Sequence, residues 1–453
     1  MTIDFDAERR ARAHKAKEQA REAANHGVTL GDFVAYREQR NYIFKPTRAM
    51  WPASAVDDEL PPVPLPGGKT IAASKWIAGN QAVQQITWAP GEPELIEGRL
   101  TSDGGFIERE GVTVFNLYRA PACARGDAAK ADRWSEHVRH VYPSDADHII
   151  MFLAHRVQRP QEKINHALLL GGNQGIGKDT LLEPVKRAVG HWNFGEASPS
   201  DMFASFNRFQ RSVILRISEG RDLGDVDRFK LYDRMKTVIA APPDVLKINE
   251  KNLREYYVPN CCSVIITSNY KTDGIYLPED DRRHYVAYSE WAKEDFSQAY
   301  WDGIWKWYED DGGYGHVAAY LSTLDISSFA PKAPPPKTAA FQAIADAGRA
   351  PEIPEMMDTL DKLDNPDAVT LEQLRSKAPE PFLMWLDDRR NRRTIPHRLE
   401  ACGYVPVRNP DAPSHGLWQL SGGRCAIYAK RSLPYSEQVL AARRLMQGSR
   451  YQE

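Results

Sequence analysis

The residues best suited to chemistry form one run: Gly172, Asn173, Gln174, Gly175, Ile176, Gly177, Lys178, Asp179 and Thr180. Glycines let successive backbone N–H groups converge on phosphate oxygens. A helix beginning at the lysine adds the positive end of its dipole. Lys178 so placed reaches the β- and γ-phosphates of a nucleotide, and a nearby hydroxyl ligates Mg²⁺. Asp179 follows the lysine directly and Thr180 comes one place later, a departure from the usual order of lysine then Ser or Thr. Thr180 is therefore the first metal-side candidate and Asp179 the second. A glycine-rich turn without a ligand has the same composition, so the flanking elements decide between the two.

Hydrolysis also needs an acid that orients the attacking water. Glu219 stands after the apolar run 213–217 (VILRI) and Ser218. It is the candidate base, with Asp222 in reserve, although Ser218 occupies the position where a metal-binding Asp is usual. Asn269 closes a second apolar run, 264–268, where it can hydrogen-bond a phosphate or the water or simply cap a turn. Arg282 and Arg283 precede the short strand 285–288. An arginine from a neighbouring molecule can stabilise charge on a transferred phosphoryl group; the plain alternative is a surface Arg–Asp pair.

These residues need elements to hold them. Residues 167–170 (ALLL) form a continuous apolar run that suits a buried parallel strand. Leu181, Leu182, Val185, Ala188 and Val189 then follow helical spacing, and Gly190 is a stop signal. Strand, glycine loop, lysine and helix is the context a phosphate loop requires. Upstream, 144–147 (SDAD) reads as a capping box for a helix carrying Ile149, Ile150, Phe152, Leu153 and Val157, ending before Pro160. Residues 105–118 read as two short strands around Gly111, and the prolines of 61–66 as extended chain. His137, His140, His148, His155 and His166 have no carboxylate at ligand spacing and read as core or surface histidines. Trp301, Trp305 and Trp307 read as packing residues of one helix rather than a stacking platform.

Composition suggests the divisions: an N-terminal helix (1–27), an α+β region (28–143), the nucleotide-binding core (144–329), a linker or strap (330–379) and a basic C-terminal module (380–453). Residues 389–450 hold 12 Lys and Arg against 3 acids. There, a helix at 395–402, strands at 404–407 and 416–420, a turn at 421–424 and a strand at 425–429 suggest a winged-helix-like module or a small α+β cap. The formal net charge of −2 excludes a globally basic binder but not a local nucleic-acid face. No apolar run is long enough to span a bilayer, which excludes a membrane partner. Five cysteines without CxxC spacing read as reduced thiols in the cytoplasm.

The order GGNQGIGKDT, RSVILRISEG, LKINEKNLREYYVPN, VIITSN and PEDDRRHYV resembles the superfamily 3 helicases. These are AAA+ ring ATPases of viruses, phages and plasmids, and the resemblance points to the phage and prophage domains that accompany primase-polymerases. It implies an α/β P-loop AAA+ core binding ATP and Mg²⁺ between the subunits of a homo-oligomer, a hexamer, in a bacterial host cell. It implies roles for Lys178 on phosphate, Glu219 in catalysis, Asn269 as sensor, and Arg282 or Arg283 on a neighbour's ATP. The segment 248–252 matches a DNA-gripping hairpin, which makes Lys251 the first candidate for a contact with single-stranded DNA and Lys247 the second. The basic module would then hold duplex DNA or dock a partner. No primase signature lies upstream, so the expectation is a motor alone, with a separate primase or polymerase as partner. An ATP-dependent loader or switch that does not unwind, or a non-catalytic origin-binding protein, has the same motifs.

Overall fold

The computed structural model describes residues 27–218, 228–270, 275–347, 352–412, 416–420 and 423–448. The expected helix at 5–25, Glu219 and Asp222 lie outside the described residues. The chain separates into two compact units, 1–347 and 348–453. That division falls inside the stretch 330–379. The helix Ala339–Ala347 buries Phe341 and Ile344 in the core of the first unit, because its apolar residues recur at helical spacing.

The first unit is built on a five-stranded parallel sheet. Its strands are β1 (Ala167–Gly172), β2 (Phe194–Ala197), β3 (Ile214–Ser218), β4 (Ser263–Ser268) and β5 (His284–Ser289), in the order β2-β3-β4-β1-β5. Every residue of β1 and β4 is buried, as a parallel sheet covered on both faces requires. Alternate residues serve opposite faces: Leu168, Leu170 and Ile265 enter one core, and Ala167, Leu169, Val264 and Ile266 enter the other.

Among the described residues, the helices that flank this sheet include α1 (Asp132–Val141), α2 (Ala146–Gln158), α3 (Lys178–Val189), α4 (Arg228–Ile239), α5 (Gln298–Glu309) and α6 (Gly313–Thr323), besides Ala339–Ala347. Helix α3 buries Leu181, Leu182, Val185 and Val189 against the sheet and stops at Gly190, whose φ is +87°. Helix α2 buries Ile149, Phe152 and Leu153 as its spacing implies. The capping box expected at its start does not form. Asp145 occupies the N-cap without a side-chain cap bond, because its carboxylate accepts the Tyr285 hydroxyl at 2.8 Å instead.

Residues 105–118 also differ from expectation. One strand, Gly105–Asn116, runs through and pairs with Leu95–Ser102. Glu97 faces Thr113 while Arg99 faces Glu108. The extra residues form a bulge around Gly111, at φ +74°, so the kink is absorbed without ending the strand. Residues 28–143 are not closed off from the rest. Phe33, Val56 and Ile77 form a small core, but Ile86 and Phe115 share the main core with Leu168 and Val185.

In the second unit the strands Ala368–Thr370, Ile427–Lys430 and Tyr404–Val407 form an antiparallel sheet with Ile427–Lys430 central. The expected return strand at 425–429 is split. Gly423–Cys425 pairs with Trp418–Leu420 as a separate ribbon, and Ile427 begins the central strand. The helices Glu352–Asp361, Leu371–Lys377, Glu380–Asp387 and Ile395–Ala401 pack over Val369, Leu374, Phe382 and Leu399. Arg389, Arg390, Arg392 and Arg393 are exposed before the last of these.

Candidate functional site

In an open parallel sheet, ligands sit outside the carboxyl ends of the strands, where the chain leaves in opposite directions. Strand β1 is such a point: the chain leaves it for β2, three places to one side, while β5 lies on its other side. The loop 172–177 follows β1 there. A cavity of about 390 Å³ opens at it, lined by Gln174, Gly175, Gly177, Lys178, Asp179 and Thr180 from the loop and α3. Arg216 and Ser218 of β3, Thr267 and Asn269 at the end of β4, and Trp301 and Trp305 of α5 complete the walls.

Gly172, Gly175 and Gly177 of the loop all have positive φ, and at two of them a Cβ would also collide with a neighbour. Gly172 has φ +144°, and a Cβ there would fall 2.5 Å from Ile176 Cδ1. Gly177 has φ +92°, and a Cβ there would fall 2.6 Å from His137 Cε1 and 2.7 Å from Trp301 Cη2. Gly177 is also the N-cap of α3, and no side chain caps that helix. Its first-turn N–H groups are therefore the natural partners of an anion.

Lys178 is buried, and Nζ donates to the carbonyl oxygens of Gly172 at 2.5 Å and Asn173 at 2.9 Å and to Asn269 Oδ1 at 3.0 Å. All three acceptors are neutral. Burial pulls the ammonium down to about 8, with the nearby charge of Asp179 opposing the fall. A desolvated cation held only by neutral acceptors favours an anion brought close to it.

The structure thus brings together the loop, Lys178, Thr180 and Asn269. Asp179 is turned to β3, where Arg216 Nη1 donates to its carboxylate at 2.8 Å. Thr180 carries a hydrogen bond from Tyr308 to its carbonyl at 3.0 Å, which ties α5 to α3. Glu219 falls outside the described residues, and Ser218 before it accepts a bond from Arg216 Nε at 3.0 Å.

Arg282 and Arg283 lie elsewhere. They precede β5, whose first residue His284 sits beside Ala167, whereas the loop sits beside the far end, Gly172 with Ser289. Five steps of about 3.3 Å along the strand keep them roughly 17 Å from the loop of their own chain. Arg282 is exposed and Arg283 half-buried. Their turn is pinned by buried Asp281, whose carboxylate accepts the backbone N–H of Arg283 at 2.9 Å and of His284 at 3.0 Å, and the Tyr232 hydroxyl at 2.8 Å. Lys251 is exposed in the turn between the paired strands Val245–Ile248 and Tyr256–Pro259. Glu250 beside it is held by Arg211 at 2.8 Å and by the Tyr256 hydroxyl. Lys247 is exposed on the same hairpin and is paired with Glu255.

Sequence reasoning missed three residues here. His137 lies beneath the loop, with Nε2 3.2 Å from the Gly177 carbonyl and Nδ1 2.8 Å from the Tyr300 hydroxyl. A neutral ring with the proton on Nε2 satisfies both partners, in line with burial pulling this histidine down to about 4. Trp307 and Trp301 pack against the main core as expected, but Trp301 also lines the cavity, and Trp305 lines it while remaining exposed. Among the described residues no group of three His, Cys, Asp or Glu could hold a metal ion. No helix among them is long and apolar enough to cross a membrane.

A model described as a family of unknown function, DUF5906, matches residues 169–283, from β1 to the two arginines. The DNA primase-polymerase of Nitratiruptor phage NrS-1 is 25% identical over 186 residues, 40% of this chain. The chain spans only 25% of that relative's length. An apo structure of the NrS-1 C-terminal region superposes with a TM-score of 0.60 at 15% identity, over 88% of this chain and 95% of that one. An A-form apo structure of the same region gives 0.57 at 17%, over 88% and 96%. The chain is therefore homologous to part of the NrS-1 protein and shares the mixed α/β fold of its C-terminal region.

Proposed function

We propose that the chain is an ATP-driven DNA helicase of phage or prophage replication, a ring-forming AAA+ translocase on single-stranded DNA. The observation that carries this reading is the buried Lys178 ammonium, held by neutral oxygens at the uncapped start of α3. Its surroundings fit a triphosphate: three positive-φ glycines shape the loop, and Asn269 approaches from β4. Thr180 would hold Mg²⁺, joined by Asp179 on release from Arg216. The metal, when bound, supplies positive charge to the phosphates.

The distance from the loop to Arg282 and Arg283 favours an oligomer, since one chain's arginines are too far to serve its own site. The hairpin carrying Lys251 supplies the DNA contact. In the second unit, the order helix, strand, helices, strand, ribbon, strand supports a winged-helix-like module with its arginines toward duplex DNA. Homology to a phage DNA primase-polymerase supports a role in replication. ATP turnover and unwinding of a forked duplex by the purified chain test the reading. Lys178→Ala should abolish both, and undiminished hydrolysis in that variant would refute the site.

One observation favours a second reading. Asp179 is ion-paired with Arg216, and Ser218 stands where a metal-binding Asp is usual. Slow turnover on such a site suits an ATP-dependent loader or switch. DNA-stimulated hydrolysis without strand separation would select it.

A further inference from the structure

The cavity has two chemically distinct walls. Lys178, Thr180 and Asn269 supply the polar groups that suit phosphate. Helix α5 supplies only Trp301 and Trp305. These come from the segment after β5, the strand that flanks β1 on the side opposite β4. The volume, about 390 Å³, lies in the range of pockets that take whole small molecules, and a flat heterocycle is the natural partner of an indole face.

The two indoles are held differently. Trp301 is wedged among rings, with His137 at 5.8 Å and Phe296 at 5.1 Å, and it closes on Gly177. Trp305 meets Tyr308 edge to face at 5.8 Å and 73° but remains 41% exposed. A large apolar ring exposed at a cavity mouth, on a helix anchored to α3 through Tyr308 and the Thr180 carbonyl, is placed at fixed reach from the phosphate end. Indole has one N–H donor and no acceptor, so this wall offers a stacking surface rather than hydrogen-bond readout.

Resting on the nucleotide reading above, we propose that Trp305 is the platform on which the nucleobase stacks, with Trp301 as the fixed wall behind it. Base recognition is then aromatic and tolerant of base identity. Stacking of one base on one aromatic ring sets an expected loss of about tenfold in affinity when the ring is removed.

Calorimetric titration of the full chain with ATP and with inorganic tripolyphosphate separates the two ends of the site. Trp305→Ala should weaken ATP about tenfold and leave tripolyphosphate within about twofold, and Trp305→Phe should recover most of the ATP affinity. Equal weakening of both ligands, or unchanged ATP binding, would overturn the platform. Lys178→Ala should weaken both ligands; if it weakens neither, the phosphate assignment fails instead.

Discussion

Lys178 Nζ lies 3.0 Å from Asn269 Oδ1, although the two residues are 91 positions apart in the chain. They meet because β4 pairs directly beside β1, with Gly171 opposite Ser268, so the loop after one strand and the tip of the other share one cavity. The pairing holds an ammonium away from water without giving it an anion.

Proton linkage follows from that. Burial lowers the Lys178 ammonium from 10.5 to about 8, and a bound triphosphate pulls it back up by favouring the charged form. Below about pH 8 the amine is already charged and binding takes up no proton there. Above that value binding must protonate it, so nucleotide affinity falls as pH rises. Calorimetry at pH 8.5 to 9 in buffers of different ionisation enthalpy should show proton uptake. Its absence would mean that the amine does not face the ligand.

The same shift predicts a stability effect without ligand. A cation whose folded value lies below its unfolded one costs stability while it is charged, and the cost fades as pH rises from about 8 to 10.5. Lys178→Met should therefore melt above the parent chain at pH 7, by a margin that shrinks toward pH 10. A margin that grows with pH would refute the buried-ammonium account.

Gly177→Ala tests the loop's geometry. Left-handed backbone costs a residue with a Cβ about 1–2 kcal/mol, and here the Cβ also meets His137 at 2.6 Å and Trp301 at 2.7 Å. The variant should unfold at lower temperature by at least that free energy and lose nucleotide binding. His137→Ala in the same chain removes one of the two obstacles and should recover part of the stability. No recovery would place the strain elsewhere.

Legibility in the sequence followed the kind of contact. Runs such as 167–170 and 264–266 are apolar at every position, which only a strand buried on both faces needs, so β1, β4 and the loop from β1 to α3 could be read locally. The 105–116 strand could not, because its bulge is decided by pairing with 95–102. His137 carries a faint signal: it shares the buried face of α1 with Trp134, Val138 and Val141, where a polar ring needs a partner. That the partner is the Gly177 carbonyl is a tertiary fact. Arg216, the one charged residue in the apolar run 213–217, marked itself by breaking the pattern, but its pairing with Asp179 needed β3 and α3 in place.

The Asp281 turn predicts an acid-dependent loss. Burial pushes this carboxyl up, but the hydrogen bond and charge of His284, the Arg283 N–H and the Tyr232 hydroxyl outweigh it and hold it at about 2. A depressed carboxylate stabilises the fold above its unfolded value, near 3.8, and loses that contribution as pH falls toward 2. Asp281→Asn leaves a buried acceptor site mismatched, at about 1–3 kcal/mol. Its melting temperature should drop clearly at pH 6 and converge on the parent's between pH 4 and 2.5. A gap of constant size over that interval would show that the charge is not what pins the turn before β5.

The two hairpin lysines should differ in their effect on DNA. Lys247 is on a strand and already paired with Glu255, whereas Lys251 is exposed at the turn and Glu250 beside it is fixed by Arg211. A paired ammonium must give up its carboxylate before it meets a phosphate, so its net gain is smaller. Each phosphate contact contributes about 0.7 to the slope of log affinity against log salt on single strands. Lys251→Ala should therefore weaken binding to oligothymidine and flatten that slope by about 0.7, while Lys247→Ala should change both by less. If Lys247→Ala has the larger effect, the turn does not meet the strand and the hairpin's flank does; if neither variant moves the slope, the DNA path lies off this hairpin altogether.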